Sequence, residues 1–240
     1  MQRRVALIHD FLLDVRGAER TFSALADIYP QADLFTAIYD PRGTEGRFAH
    51  RTVNTSFLQR LRPTARSFRP LLPFYPYAME ALDLSGYDLV LSSSSAWAHG
   101  VIVDPDAVHV CYCHNPFRYA WNARDETLNQ RGMLQRAALR LVFQRWRQWD
   151  WIAAQRVDRY LANSETTRRR IARYFTRRDS QNAAVAIGRS ARVLRRDQDR
   201  FMAGGVQSAA KGLDGSGNTV DPRKIDVRDH QDAHASSGGQ

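Results

Sequence analysis

Lysine is almost missing from this chain of 240 residues. It occurs only as Lys211 and Lys224, so 33 of the 35 basic side chains are arginine, and the formal net charge is +10. Cysteine is equally scarce, with Cys111 and Cys113 as its two examples. Two residues apart on a strand, they would share a face, which is a poor geometry for a disulfide. We therefore expect free thiols and a cytoplasmic protein.

Long hydrophobic runs are also absent. No apolar stretch approaches the roughly 20 residues that a membrane-spanning helix needs. The apolar part of the opening MQRRVALIHDFLL ends at His9 and Asp10, too early for a signal peptide. Hydrophobic residues nevertheless make up 43% of the chain and aromatic residues 10%, which is enough for a core and excludes a wholly disordered chain.

The composition changes after residue 176. Residues 177–240 contain no Trp, Tyr or Cys, carry 8 of the 14 glycines, and hold only 10 Leu, Ile, Val or Phe in 64 residues. This fraction lies below the roughly 20% that a segment needs to build a core. The sequence therefore predicts a folded domain at 1–176 and a disordered or poorly structured Gly/Arg/Asp-rich tail at 177–240.

Within the predicted domain, apolar runs of strand length alternate with helical patterns. Strands are expected at 3–11, 32–36, 87–92, Val108–Cys113 and Arg159–Ala162. Helices are expected at Gly17–Ile28, at 133–157 and from Ser164 to about residue 175. Alternating strands and helices predict an α/β fold, with a Rossmann-like parallel sheet flanked by helices.

Ligands of open α/β sheets bind in the loops after the strands. Gly17 starts the first predicted helix, where free N–H groups suit a phosphate, although it could equally serve only the turn. Ser164 offers the same chemistry at a later helix start, or acts as a plain cap. The loop after residues 87–92 forms a polar platform beside an aromatic ring, as sugar sites often need. Its members are Ser94, Ser95, Trp97 and His99.

His114 follows the strand Val108–Cys113. Such a histidine can donate to a bound hydroxyl or shuttle its proton, unless it is merely structural. Nearby Arg118 can neutralise a phosphate or carboxylate. Cys111, Cys113 and His114 could instead indicate a metal, but a fourth ligand at a recognisable spacing is missing, so we predict no metal or other cofactor.

The segment 57–77 interleaves arginine with aromatic and aliphatic residues. Such a segment can lie on an anionic membrane, hold a lipid-linked substrate or bind nucleic acid. Its four prolines also allow a packed lid with solvated arginines. The arginines concerned are Arg60, Arg62, Arg66 and Arg69.

Four blocks of the chain resemble one protein family in their order and spacing. They are GAER after a first strand that ends in HDF, then LDLSGYDLVLSSSSAWAHGV, CYCHNPFRYAWN and RQWDWIAAQRVDRYLANSETTRRRIARYF. Together they resemble the amino-terminal half of group 1 glycosyltransferases, which are retaining enzymes of the GT-B fold, and especially bacterial mannosyltransferases of polysaccharide assembly. The resemblance covers residues 5–175 and none of the tail.

The resemblance implies transfer of a sugar such as mannose from a nucleotide sugar to a lipid-linked or polysaccharide acceptor. It places Gly17 near the donor diphosphate and His114 beside the transferred sugar. The loop 92–99 and the segment 57–77 would face the acceptor, at the inner face of the membrane. Retention in this family is attributed to a front-face transfer in which the leaving phosphate helps to deprotonate the acceptor, so no protein nucleophile is needed.

The chain also departs from the family pattern. Ala18 stands where a second glycine is common, and no two of the five glutamates are eight positions apart, as the donor-binding carboxy-terminal domain would require. Residues from 177 onward match nothing in the family. We therefore expect a truncated or frameshifted form with little activity alone.

The alternative function is a basic binding module for an anionic membrane surface or nucleic acid. It is motivated by the charge and by the segment 57–77. The preference for arginine over lysine extends through domain and tail alike, which indicates the coding bias of a G+C-rich genome. We therefore do not expect a nucleic acid partner.

Overall fold

The computed structural model describes residues 3–182, so most of the predicted tail lies outside the described residues. A single sheet forms the centre of this part of the chain. Its strands are β1 (Val5–His9), β2 (Asp33–Thr36), β3 (Val53–Thr55), β4 (Leu89–Ser94), β5 (Val108–Cys113), β6 (Arg159–Ala162) and β7 (Gln181–Asn182). Every neighbouring pair is parallel, and the order is β3-β2-β1-β4-β5-β6-β7.

Helices cover both faces of this sheet. The α-helices are α1 (Gly17–Ile28), α2 (Tyr75–Glu80), α3 (Arg124–Asn129), α4 (Met133–Gln155) and α5 (Glu165–Tyr174). Helix α1 packs on one face through Phe22, Leu25 and Ala26, whereas α2, α4 and α5 pack on the other. Between residues 3 and 182, no helix has the length and apolar character needed to cross a bilayer.

The predicted Rossmann-like parallel sheet is confirmed. The apolar runs of β1, β4 and β5 are continuous because a parallel sheet covered on both faces buries both sets of side chains. The sequence patterns missed β3, β7, α2 and α3, which are short, and the 3₁₀ turns Phe57–Leu61, Arg69–Phe74 and Ala98–Gly100.

The described fold runs past the predicted boundary at residue 176. β7 pairs with β6 through Leu161 and Gln181. The Arg177 guanidinium donates to the carbonyl oxygens of Ala154 at 3.1 Å and Val157 at 2.7 Å, which ties the chain to the end of α4. Residues 177–182 therefore continue the sheet.

The strand order reverses at the centre of the sheet. From β1 the chain moves outward to β2 and β3, and then returns to β4 on the other side of β1. At such a reversal, neighbouring connections leave in opposite directions and open a crevice at the carboxyl ends of the two strands. The ends of β1 and β4 are therefore the place to examine for a site.

Candidate functional site

Three consecutive serines at the carboxyl end of β4 each bind a histidine. The pairs, with the distance from serine Oγ to the imidazole nitrogen, are Ser92–His109 (2.8 Å), Ser93–His114 (2.9 Å) and Ser94–His99 (3.2 Å). Because side chains alternate along a strand, Ser93 points to the α1 face, whereas its two neighbours point to the α4 face. We call His9, Glu19, Ser93 and His114 the open cluster, and Ser94, His99 and Asp150 the closed cluster.

The open cluster is assembled from β1, α1, β4 and the residue that directly follows β5. His9 Nδ1 donates to the carbonyl oxygen of Ser93 at 2.9 Å, and His9 Nε2 lies 3.6 Å from Glu19 Oε1. The other carboxylate oxygen of Glu19 accepts from the backbone N–H of Arg16 at 2.9 Å, at the start of α1. Burial raises the pKa of Glu19, but its contacts with His9 and the Arg16 N–H outweigh burial and leave that pKa below its ordinary value.

His114 is the member of the open cluster that reaches the surface, since it is only partly buried. Its carbonyl oxygen accepts from Thr167 Oγ1 at 3.1 Å, which brings the first turn of α5 beside it. Burial, and then the positive charge of His9, lower the pKa of His114 to about 4, against the opposing effect of Asp10 and Glu19. The imidazole is therefore neutral at physiological pH.

The two predicted phosphate positions lie at helix starts on this same edge. Gly17 has no positive φ, and no described atom lies within 4 Å of a Cβ built on it, so neither the backbone nor packing requires glycine there. Ser164 Oγ accepts from the Thr167 N–H at 3.2 Å, so the hydroxyl caps α5. The predicted contact of each residue with a donor phosphate stays a prediction.

The closed cluster has the Ser–His–Asp order of a hydrolase triad. His99 Nε2 lies 3.3 Å from Asp150 Oδ1, and Trp121 Nε1 donates to the other carboxylate oxygen of Asp150 at 2.6 Å. However, Ser94, His99 and Asp150 are only 1%, 3% and 0% exposed. A substrate carbonyl has no path to the serine, and the hydrogen-bond contact of His99 Nε2 is with the main-chain oxygen of Asp150, at 3.4 Å. These buried contacts therefore hold α4 to the sheet and are not a nucleophilic site.

Trp97, predicted to face the acceptor, lies in the core. Its ring packs against Phe117, Trp146 and Trp149, with centroid distances of 4.2, 5.4 and 5.5 Å, and it is 0% exposed. Helix α4 covers the loop that the sequence pattern placed at the surface. Three of the predicted acceptor residues therefore offer no accessible surface in this structure: Ser94, Trp97 and His99.

Asp10 fixes the remainder of this loop. Its carboxylate accepts from the backbone N–H groups of Ser95 at 2.6 Å, Trp97 at 2.7 Å and Ala98 at 2.6 Å. Asp10 is 1% exposed, so its charge is stabilised by these N–H groups and not by water. Ser95 stays partly exposed. Its contact with an acceptor stays a prediction.

The predicted basic residues are all at the surface. Arg118 is exposed, and its guanidinium lies 4.9 Å from the centroid of the Tyr119 ring and donates to the Tyr119 hydroxyl at 3.0 Å. In the segment 57–77, large apolar side chains are exposed beside the arginines. The exposed side chains of this segment are Arg60, Arg62, Arg66, Arg69, Phe57 (46%), Leu61 (64%), Phe74 (52%) and Tyr77 (67%).

Cys111 and Cys113 are free and buried, as predicted, and burial raises the pKa of both thiols. Within residues 3–182, no three His, Cys, Asp or Glu side chains are placed to hold a metal ion. A cavity of about 590 Å³ lies beside the amino ends of β1 and β2, lined by Arg4, Asp33 and Tyr87 among others. It contains none of the predicted site residues.

Sequence patterns missed His9, Asp10, Glu19 and Asp150, and singled out Ser93 only as part of a polar run. Three of these carried a signal. A histidine and an aspartate at the end of a buried strand are polar side chains at the edge where ligands bind. A glutamate at the third position of a helix is also typical of a capping interaction.

Known proteins provide an independent comparison. A search of curated proteins and a search of solved structures each found no significant match. The family model described as Glycosyltransferase Family 4 matches residues 15–181, which is more than half of the chain and extends from just before α1 into β7. The matched region includes Gly17, Ser93, His114 and Ser164. The chain therefore belongs to Glycosyltransferase Family 4.

Proposed function

We propose that this domain is the acceptor-side half of a retaining glycosyltransferase, which moves mannose or a similar hexose from a nucleotide sugar to a lipid-linked or polysaccharide acceptor. The observation that carries the proposal is the position of His114 at the carboxyl edge of the sheet. There it lies beside the first turn of α5, and the open cluster connects it to the first turn of α1. This edge is where α/β sheets bind ligands.

The start of α1 supplies the donor contact in this proposal. Gly17 is exposed and leaves open space beside the first turn, where N–H groups and the helix dipole favour a phosphate. The Glu19 carboxylate accepts from the Arg16 N–H, before the first residue of α1. The diphosphate would therefore approach over Gly17, with the sugar extending toward His114.

In the proposed transfer step, the protein forms no covalent bond with the sugar. The bond between the anomeric carbon and the donor phosphate breaks as the acceptor oxygen bonds to the same face of that carbon. The leaving phosphate oxygen takes the proton of the acceptor hydroxyl. We propose that His114 binds the transferred sugar during this step and that no metal takes part, with the phosphate charge stabilised by N–H groups and arginine.

Substitution of Gly17 tests the donor contact. We expect Gly17→Ala to fold normally, because no described atom opposes the added methyl group. Binding of GDP-mannose or UDP-glucose, followed by NMR line shifts, should weaken about tenfold because the methyl group occupies the phosphate path. Gly132→Ala is the matched control, since Gly132 is also an open position, directly before α4. Equal affinities in the two variants would contradict the placement of the phosphate.

Transfer by the isolated 240-residue chain should be weak. The sequence lacks the glutamate pair that the family resemblance assigns to the donor domain. We expect little radiolabelled mannose to pass from GDP-mannose to a lipid-linked acceptor unless a donor-binding domain is supplied. Turnover at the rate of a complete enzyme would show that the chain provides its own donor contacts.

The exposed arginine and apolar side chains of the segment 57–77 support peripheral contact with an anionic membrane, where a lipid-linked acceptor resides. Arginine beside exposed apolar side chains is typical of a surface that lies in the headgroup region. We expect the chain to sediment with phosphatidylglycerol vesicles and not with phosphatidylcholine vesicles. Binding to duplex DNA of equal strength would favour the nucleic-acid alternative instead.

A pair of charge-matched variants separates a specific surface from bulk charge. The first variant replaces by glutamine Arg60, Arg62, Arg66 and Arg69. The control replaces by glutamine four exposed arginines elsewhere, namely Arg20, Arg42, Arg47 and Arg178. We expect only the first variant to lose vesicle binding. Equal losses would show that the net charge alone causes binding.

A further inference from the structure

The pair formed by Ser93 and His114 is held from both sides. Ser93 is 0% exposed within β4, and its carbonyl oxygen accepts from His9. The backbone N–H of His114 donates to the carbonyl oxygen of Ser94 at 2.8 Å, which continues the pairing of β4 and β5. The contact of 2.9 Å between Ser93 Oγ and His114 Nε2 therefore joins two rigid positions.

The positions of the protons in this pair follow from hydrogen-bond satisfaction. Among the described residues, His114 Nε2 is the one partner of the Ser93 hydroxyl. If His114 Nε2–H donated, the serine hydrogen would be buried without an acceptor, which is costly. If Ser93 donates, its hydrogen is satisfied and Nε2 accepts. A neutral imidazole then carries its single proton on Nδ1.

The neighbours of the pair keep His114 in this neutral state. Burial and the positive charge of His9 lower the pKa of His114 to about 4, although Asp10 and Glu19 act in the other direction. His9 must carry a proton on Nδ1, because the Ser93 carbonyl can only accept. Its other nitrogen, Nε2, lies 3.6 Å from the carboxylate of Glu19.

We propose that Ser93 is a positioning residue, which fixes the ring and the tautomer of His114 and thereby leaves its Nδ1–H as the donor for an oxygen atom of the bound ligand. Nδ1 has no hydrogen-bond partner within residues 3–182, and the ring is partly exposed. With Nε2 occupied by Ser93 and Nδ1 protonated, His114 has no free lone pair. It therefore donates to a sugar hydroxyl or a phosphate oxygen and is not the base of the reaction.

The tautomer is directly measurable in the whole chain. Histidine labelled with ¹⁵N, followed by long-range ¹H–¹⁵N correlation near neutral pH, distinguishes a protonated Nδ1 from a protonated Nε2. The signals of His114 are assigned among the seven histidines as those missing from His114→Gln. We expect a protonated Nδ1 and an unprotonated Nε2. A protonated Nε2 in the unmodified chain would overturn the proposal.

Three variants test whether Ser93 is the cause. In Ser93→Ala we expect His114 to become a mixture of tautomers, and Ser93→Thr, which keeps a hydroxyl, should restore the single form. The matched control is Ser92→Ala, because Ser92 makes the same contact with His109 at 2.8 Å on the opposite face. It should change the signals of His109 and leave those of His114 unchanged.

The tautomer of His114 in these variants decides whether Ser93 is a positioning residue. An unchanged His114 tautomer in Ser93→Ala would overturn the role of Ser93. If that variant did not fold, the unmodified chain and Ser93→Thr would decide it through the protonation of Nε2. Only the identity of the ligand rests on the proposed function. A His114 Nδ1 signal that responds to neither GDP-mannose nor UDP-glucose, with the expected tautomer present, would contradict the proposed contact of His114 with the donor sugar and leave the positioning role intact.

Discussion

The two faces of β4 carry the same side-chain chemistry and differ in access. On the α4 face, Ser94 binds His99, and both are buried with Asp150 beneath the helix. On the α1 face, Ser93 is equally buried, but the ring of His114 reaches the surface. Serine, histidine and a carboxylate therefore do not by themselves mark a functional site. The element that covers them decides whether a ligand can reach them.

The largest expected effect concerns the buried loop after β4, which lies on the α4 face of the sheet. Asp10→Ala removes the acceptor of three backbone N–H groups, those of Ser95, Trp97 and Ala98. A buried donor left unpaired costs about 1–3 kcal/mol. We expect the free energy of unfolding, measured in urea, to fall by about 3–5 kcal/mol.

A second aspartate provides the control for Asp10→Ala. Asp14 pairs with Arg16 at the surface, where the arginine side chain is 78% exposed. Asp14→Ala should therefore cost less than about 1 kcal/mol. A similar loss in both variants would mean that the loop after β4 does not depend on the buried carboxylate.

The next effect is a loss of stability in acid, to which both faces contribute. Burial lowers the pKa of His109 to about 3, and burial lowers that of His114 to about 4, from an ordinary value of 6.5. At a pH between the lowered pKa of a histidine and its ordinary value of 6.5, the unfolded chain binds more protons than the folded one. The free energy of unfolding therefore falls as the pH decreases from 6.5. We expect each histidine to contribute on the order of 1–2 kcal/mol by about pH 5.

A comparison of two histidine variants separates the contribution of His114, on the α1 face of β4, to this loss of stability in acid. His114→Gln should remove the part of this fall in the free energy of unfolding that His114 causes between about pH 7 and pH 5. His50→Gln is the control for the substitution itself, because it makes the same change at an exposed position away from both clusters. Urea unfolding at several pH values measures both. Equal pH dependence in the two variants would show that His114 titrates as an ordinary surface histidine.

The smallest effect lies at the open edge. Ser164→Ala removes the hydroxyl that accepts from the Thr167 N–H, and loss of such a cap costs about 1 kcal/mol. Ser85→Ala is the control, because Ser85 is exposed and donates only to Asp83. It should change the free energy of unfolding by less than about 0.5 kcal/mol. A larger loss in Ser85→Ala than in Ser164→Ala would contradict the cap.

Local patterns were sufficient for most of the fold. The bounds of α1, β5 and β6 agree with those predicted, because continuous apolar runs and helical spacing are properties of the segment itself. β3 has only Val53 as an apolar residue and is a strand because it adds to the edge of β2. Helix α2 begins at a proline-containing stretch, where sequence patterns indicated only short pieces.

The candidate site was predictable only where its residues follow strands directly. His114 directly follows β5, and this position identified it as a candidate. The burial of Trp97 and His99 could not be predicted, because α4 covers them from about 50 residues further along the chain. The contact between His9 and Glu19 likewise depends on how α1 is rotated against the sheet. These are consequences of packing between distant segments.

The serine run of β4 has a further consequence for assembly of the sheet. Because side chains alternate, a slip of β4 by one residue would carry Ser93 to the α4 face and Ser92 and Ser94 to the α1 face. All three histidine pairs would be lost at once. Strands of branched apolar residues alone distinguish such misaligned states weakly when both faces are buried. The three hydroxyl groups therefore favour the native alignment over its nearest competitors and contribute to the fidelity of folding.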